Sequence, residues 1–119
     1  MIVVGHHPVY ADTGKDTSER EDMQHLFLPL LRKHGNVDVC ACGHVHSFQH
    51  IRCQDDGTGT DFVVNSAASL SRPKVMRIDG TVFTGTLPGF SVIEADKTTF
   101  AWHFIDARGK VIHTFERKK

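Results

Sequence analysis

With 119 residues, 39% of them hydrophobic, the chain can bury one modest core, which excludes large multidomain architectures. Lys plus Arg equals Asp plus Glu at 14 each and the sequence pI is near 7.1, so electrostatic capture of nucleic acid or of an anionic membrane surface is not expected. The nine histidines are the compositional outlier, and because free imidazole titrates near pH 6.5 they direct attention to metal or pH-linked chemistry.

Ile2 to Gly5 reads as a buried strand starting at the very edge of the chain, where residues are normally polar and frayed, so a preceding segment is expected. The Met1-Ile2-Val3-Val4 run lacks the basic start and the roughly 7–15-residue apolar region of a signal peptide, and no transmembrane segment is legible. Localisation stays open. Tyr10 to Thr17 has the composition of an exposed loop. It leads into a helix announced by Ser18 and Glu21 as a capping box, with Met23, Leu26, Phe27, Leu30 and Leu31 on its apolar face. Gly35 ends this helix, and Pro29 inside it is expected to kink or locally break it. Val37, Val39 and Ala41 alternate with Asp38, Cys40 and Cys42 as a second strand. Phe48–Cys53 and Phe62–Asn65 flank a turn-rich stretch and read as an antiparallel hairpin, and 69–89 reads as loop with at most one short strand. Phe90–Ala95, Thr99–Ile105 and Val111–Glu116 complete the chain as strands joined by polar turns.

Two histidine motifs follow strands: Val3-Val4-Gly5-His6-His7-Pro8 and Gly43-His44-Val45-His46. Strand, helix, strand with ligand-type residues at both strand ends fits the rule that α/β sites gather beyond the carboxyl ends of strands. Phosphoester hydrolysis needs charge neutralisation and a strong nucleophile, and two metal ions roughly 3.5–4 Å apart supply both. Rigid strand ends that project imidazoles into one cleft are suitable supports. Gly5 and Gly43 are expected to permit sharp exits from the strands.

On these motifs the chain resembles the C-terminal half of calcineurin-like metallophosphoesterases, and among them is most similar to the purple acid phosphatases of the tartrate-resistant type. The family's late motifs, VxxH and GHxH, stand here as Val3-Val4-Gly5-His6 and Gly43-His44-Val45-His46, and the similarity runs through His7-Pro8-Val9-Tyr10 to Asn65-Ser66-Ala67. The resemblance implies an α/β fold: half of a layered β-sandwich flanked by helices, with antiparallel late strands. It implies residues 1–119 as a single unit, the C-terminal portion of a metallophosphoesterase domain. By the same carry-over, His6 and His44 would ligate an exchangeable divalent metal and His46 a second metal, giving Fe paired with Fe, Zn or Mn in the complete enzyme. The complete enzyme would be a phosphomonoesterase acting on a phosphate ester. The family's earlier motifs, GDxxY and GNH, precede VxxH, which starts here at Val3, so the site in this chain is expected to be incomplete and catalytically silent. The family's small enzymes place a histidine in the following loop, near Lys15 and Asp16 here, so a general acid from that loop is not expected. His7 is a substrate-side residue or points away from the cleft.

Other assignments compete. Cys40, Cys42, His44 and His46 could form a noncatalytic zinc module, although structural zinc pairs separate their cysteines by two to four residues, and strand alternation makes Cys40 and Cys42 small buried groups. Ser66-Ala67-Ala68-Ser69 lacks the elbow of a nucleophilic serine. His25, His34, His50, His103 and His113 read as solvated or satisfied structural residues. A half-sandwich would leave a sheet edge uncovered, so an oligomer, a complementing N-terminal segment or an assembly role is expected, with no nucleic acid or membrane partner.

Overall fold

A computed structural model describes residues 1–14, 16–65, 67–68 and 70–118. Its elements are β1 (Ile2–Val4), α1 (Ser18–His34), β2 (Val39–Cys42), β3 (Phe48–Ile51), β4 (Asp61–Asn65), β5 (Thr81–Gly85), β6 (Gly89–Ala95), β7 (Thr99–Asp106) and β8 (Val111–Lys118). The first five strands form a mixed sheet in the order β1-β2-β4-β3-β5, with β1, β2 and β4 parallel and β3 antiparallel to both its neighbours. The last three form an antiparallel sheet, β6-β7-β8. The expected hairpin and the three closing strands are present. The fold is mixed α/β with two sheets and, among the described residues, one helix; further flanking helices are not seen. That helix is not long and apolar enough to cross a membrane.

Strand alternation divides the core. Val39, Ala41 and Val63 join Phe48 in a cluster with Phe100, Trp102, Phe104 and Phe115 of the second sheet. Cys40, Cys42 and Phe62 join Leu28 and Leu31 of α1 on the other face. β2 is therefore buried along its whole length, as a strand covered on both faces must be.

Several expectations need correction. β1 is an edge strand, and Val4 is 78% exposed, with no described residue covering it. The helix is continuous through Pro29 and closes at Gly35, whose left-handed φ of 63° lets its N–H reach the Leu31 carbonyl. Its N-cap residue is Thr17, whose side chain makes no capping hydrogen bond; Asp16, one residue earlier, accepts through Oδ1 from the Ser18 N–H at 2.9 Å and the Ser18 hydroxyl at 2.8 Å, and Ser18 is already helical. The apolar face is rotated from the expected one. Met23, Phe27, Leu28 and Leu31 pack inward, whereas Leu26 is 62% exposed and Leu30 51%. Arg20 and Gln24, two turns and one turn before Leu28, donate to the carbonyls of Ala11 and Val9. Finally, the loop before α1 is not wholly exposed, since Ala11 and Asp12 are buried.

A polar cluster fastens the two sheets together. The buried Asp61 carboxylate accepts from His50 Nε2 (2.7 Å), from Arg52 Nε (2.7 Å) and Nη2 (2.9 Å), and from Arg117 Nη1 of β8 (2.7 Å). Burial pushes its pKa up, but these hydrogen bonds together overcome burial and hold the carboxyl well below the usual range. His50 also bonds His113 of β8 at 2.9 Å, and burial followed by the neighbouring His50 brings His113 down to about 4. The structural reading of His50 and His113 stands.

Candidate metal centre

The two histidine loops meet because β1 and β2 are adjacent, parallel and in register through Val4 opposite Ala41. Two further bonds continue the ladder beyond the strands: the Gly5 N–H donates to the Ala41 carbonyl and the Gly43 N–H to the His6 carbonyl, both at 3.0 Å. Gly5 meets no demand for glycine, and Gly43 is not called on for a left-handed backbone. Neither has a positive φ, and a Cβ at Gly5 would meet only Cys42 Sγ at 4.0 Å. The unusual backbone falls on the histidines themselves, His44 at φ 70° and His46 at φ 47°. A non-glycine residue in the left-handed region costs on the order of 1–3 kcal/mol, and such conformations gather at functional sites.

Beyond the ladder, His6, His7 and His44 each bring a ring nitrogen within 4.8 Å of the others. His44 Nδ1 is hydrogen-bonded to His6 Nε2 at 3.1 Å, and the His7 and His44 ring centroids are 4.2 Å apart. His7 thus belongs with the cluster. His46, expected on a second metal, is exposed and is not one of the converging donors. No cysteine converges there either. Cys40 and Cys42 are free and buried against α1, and the hydrogen bond to Cys42, followed by burial, drives the Cys40 thiol far above its ordinary range.

The sequence reading missed Glu19. From the first turn of α1 its Oε2 lies 3.0 Å from His44 Nε2 and 3.2 Å from His7 Nδ1. The distance to His7 is not accompanied by hydrogen-bond geometry: Nδ1 of His7 is shielded and has no hydrogen-bond partner. A preference for acids at helix N-termini was the available signal, but it cannot say which residues face the acid. The loop that carries His7 towards α1 is braced from below. Asp12 and Gln49 exchange two hydrogen bonds (2.7 and 3.0 Å), while Asp12 Oδ2 accepts from Arg72 and from the Met76 N–H. Burial raises the Asp12 pKa, and the Met76 and Gly14 amides with Arg72 outweigh it, keeping the carboxyl below its ordinary value. The Arg72 N–H also donates to the His46 carbonyl at 2.8 Å, tying the 72–76 segment to both histidine loops.

Three imidazoles form a donor set suited to zinc, iron or manganese, with the Glu19 carboxylate beside two of them, and the unsatisfied His7 nitrogen fits an ion better than a closed hydrogen-bond network. A larger cavity, about 850 Å³, lies elsewhere, between α1 and the β3–β4 connection, lined by Tyr10, Arg20, Arg32, Arg52 and Asp56 without any histidine. There burial, then Asp56, raises the Tyr10 phenol to about 12, leaving it protonated at neutral pH. The sequence's serine alternative cannot be placed, since Ser66 and Ser69, like Lys15, lie outside the described residues.

Neither a family model nor a curated protein matches the chain. Among solved structures it is similar to GAP50, the anchor in the inner membrane complex of Plasmodium, at 26% identity and a TM-score of 0.84, over 98% of this chain and 36% of that one. It is also similar to a conserved Streptococcus pneumoniae protein described as a predicted phosphoesterase, at 16% identity and a TM-score of 0.50, over 82% of this chain and 51% of that one. The chain therefore spans about a third of the GAP50 structure, and the second likeness supports a phosphoesterase-like fold.

Proposed function

We propose that this chain is the C-terminal part of a metal-dependent phosphomonoesterase of the purple acid phosphatase kind, forming one unit over residues 1–119. The observation that carries the reading is the meeting of His6 and His44 at the carboxyl ends of adjacent parallel strands, with His44 held in a left-handed conformation. In this reading His6 and His44 hold one divalent ion, and His46 contributes to a second. The remaining ligands come from chain outside these residues, and the metal pair is Fe with Fe, Zn or Mn.

Such a centre supplies charge neutralisation on phosphoryl oxygens and activation of the nucleophile. The chain's own residues orient it. The Gly43 N–H to His6 carbonyl bond fixes the spacing of the two loops, and the Asp12–Gln49–Arg72 bracing holds the floor beneath them. Glu19 faces His7 and His44 with a negative charge, which favours a cation and disfavours an unaccompanied phosphate.

The test is phosphorus relaxation of phenyl phosphate in the presence of the purified chain and Mn²⁺. Enhancement abolished by His44→Ala supports the reading, and no enhancement beyond that of free Mn²⁺ contradicts it. Efficient phosphatase turnover by the chain alone would overturn the division of the site between this segment and another.

A second reading, an assembly partner, draws support from the likeness to GAP50 and from the open β1 edge with its exposed Val4. Exposed edges pair readily, so self-association or pairing with a complementing N-terminal segment is expected. A monodisperse monomer in light scattering would count against both forms of pairing.

A further inference from the structure

We propose that His7 is a third ligand of the ion that His6 and His44 hold, so that this chain brings three imidazoles to one zinc-class divalent cation before any ligand from elsewhere joins. The proposal rests on the reading above for the ligand roles of His6 and His44, and it adds to them a histidine whose part the sequence motifs leave open. The three side chains already converge: a ring nitrogen from each lies within 4.8 Å of the others. Zinc–nitrogen bonds of about 2.0–2.1 Å place neighbouring tetrahedral ligand atoms roughly 3.3 Å apart. His6 Nε2 and His44 Nδ1, 3.1 Å apart, are close to that spacing before any ion draws them in. The His7 ring centroid stands 4.9 Å from that of His6 and 4.2 Å from that of His44, so a turn of this one side chain brings a third nitrogen onto the same ion.

Three further observations point to His7. Its Nδ1 is buried without a hydrogen-bond partner, a costly state that coordination relieves, and no hydrogen bond to that nitrogen has to be broken first. Its backbone is held from behind: Pro8 and Val9 are buried, and Gln24 of α1 donates to the Val9 carbonyl at 2.9 Å. Finally, Glu19 Oε2 lies 3.2 Å from His7 Nδ1 and 3.0 Å from His44 Nε2, outside the three converging donors. Three neutral imidazoles leave the charge of a dication uncompensated, and a carboxylate beside two of them supplies a negative charge without being a ligand. Three protein ligands with a fourth position open is the arrangement of a catalytic rather than a structural zinc site. His7 and His44 keep 37% and 36% of their side chains exposed, so an exchangeable ligand such as water or a phosphate oxygen can reach that position.

The experiment is a Zn²⁺ titration of the full chain in competition with a chromophoric chelator, with Co²⁺ absorption as a second readout. His6→Ala, His44→Ala, His46→Ala and two replacements of the new ligand, His7→Ala and His7→Gln, are compared, and circular dichroism confirms that each variant is folded. The expected result is one Zn²⁺ per parent chain and tetrahedral-type Co²⁺ absorption. Both His7 variants should bind more than about 100-fold more weakly, as His6→Ala and His44→Ala do, a loss beyond the range typical of an outer-sphere partner. His46→Ala should bind like the parent chain. Binding that depends on His6 and His44 but not on His7 overturns the proposal and leaves the reading above standing, with His7 then on the substrate side. Absence of stoichiometric binding by the parent chain also overturns it. Binding indifferent to both His6→Ala and His44→Ala removes the proposal and the reading together.

Discussion

Replacing Asp61 by alanine removes the acceptor of four hydrogen bonds at once, from His50, Arg52 (two) and Arg117. The side chain is wholly buried, so truncation leaves cationic partners facing a site that can no longer neutralise them. Breaking a buried ion pair by removing one partner costs about 3–5 kcal/mol. Arg52 and Arg117 keep 43% and 24% of their side chains exposed and can partly re-solvate, which places the expected loss near the lower bound, about 3 kcal/mol. For a chain of this length that corresponds to a fall in Tm of about 12 °C. The single tryptophan, Trp102, is buried in the cluster between the two sheets and provides the assay. In urea, Trp102 fluorescence and far-UV circular dichroism should shift together to a lower midpoint. A loss below about 1 kcal/mol would refute the view that Asp61 fastens β8 to the first sheet.

Acidification should weaken the same junction. His113 is held at about 4 when folded, below the ordinary histidine value near 6.5, so the folded state binds fewer protons than the unfolded state between those limits. The stability it contributes is complete above pH 6.5 and is lost as the pH falls towards 4, by on the order of 1–2 kcal/mol after allowance for its partial exposure. His113→Phe should flatten that slope in a pH series of urea midpoints, and an unchanged slope would contradict the assignment. Gly89→Ala should cost more than about 2 kcal/mol, because its Cβ would lie 2.0 Å from the Ile105 carbonyl oxygen across the β6–β7 ladder, where backbone cannot yield. Gly5→Ala should stay within about 0.5 kcal/mol of the parent chain; equal urea midpoints for the two glycine variants would defeat the argument.

Where the fold was legible, short-range patterns carried it. Alternation announced β7, whose Phe100, Trp102 and Phe104 face inward, and glycine marked the end of α1 at Gly35. Burial along β1 was misread because an apolar run looks the same on an edge strand as on a central one. The apolar face of α1 was misplaced because Leu26 and Leu30 satisfy helical spacing as well as Leu28 and Leu31 do, and only the packed sheet decides between them. In the site, His6 and His44 were visible as strand-terminal residues and do come together, and the parallel pairing of β1 with β2 explains why. Glu19 and the Asp12–Arg72 bracing were not visible, since they depend on how α1 and the 72–76 segment approach the loops, contacts across long stretches of sequence that no local spacing encodes.

The most direct test of the histidine centre is X-ray absorption at the zinc edge of the zinc-loaded chain. Coordination by His6 and His44 predicts a shell of nitrogen and oxygen with imidazole scattering and no sulfur, lost in His44→Ala. A sulfur shell would assign the ion to Cys40 or Cys42 instead, and spectra unchanged by His44→Ala would contradict the centre described here.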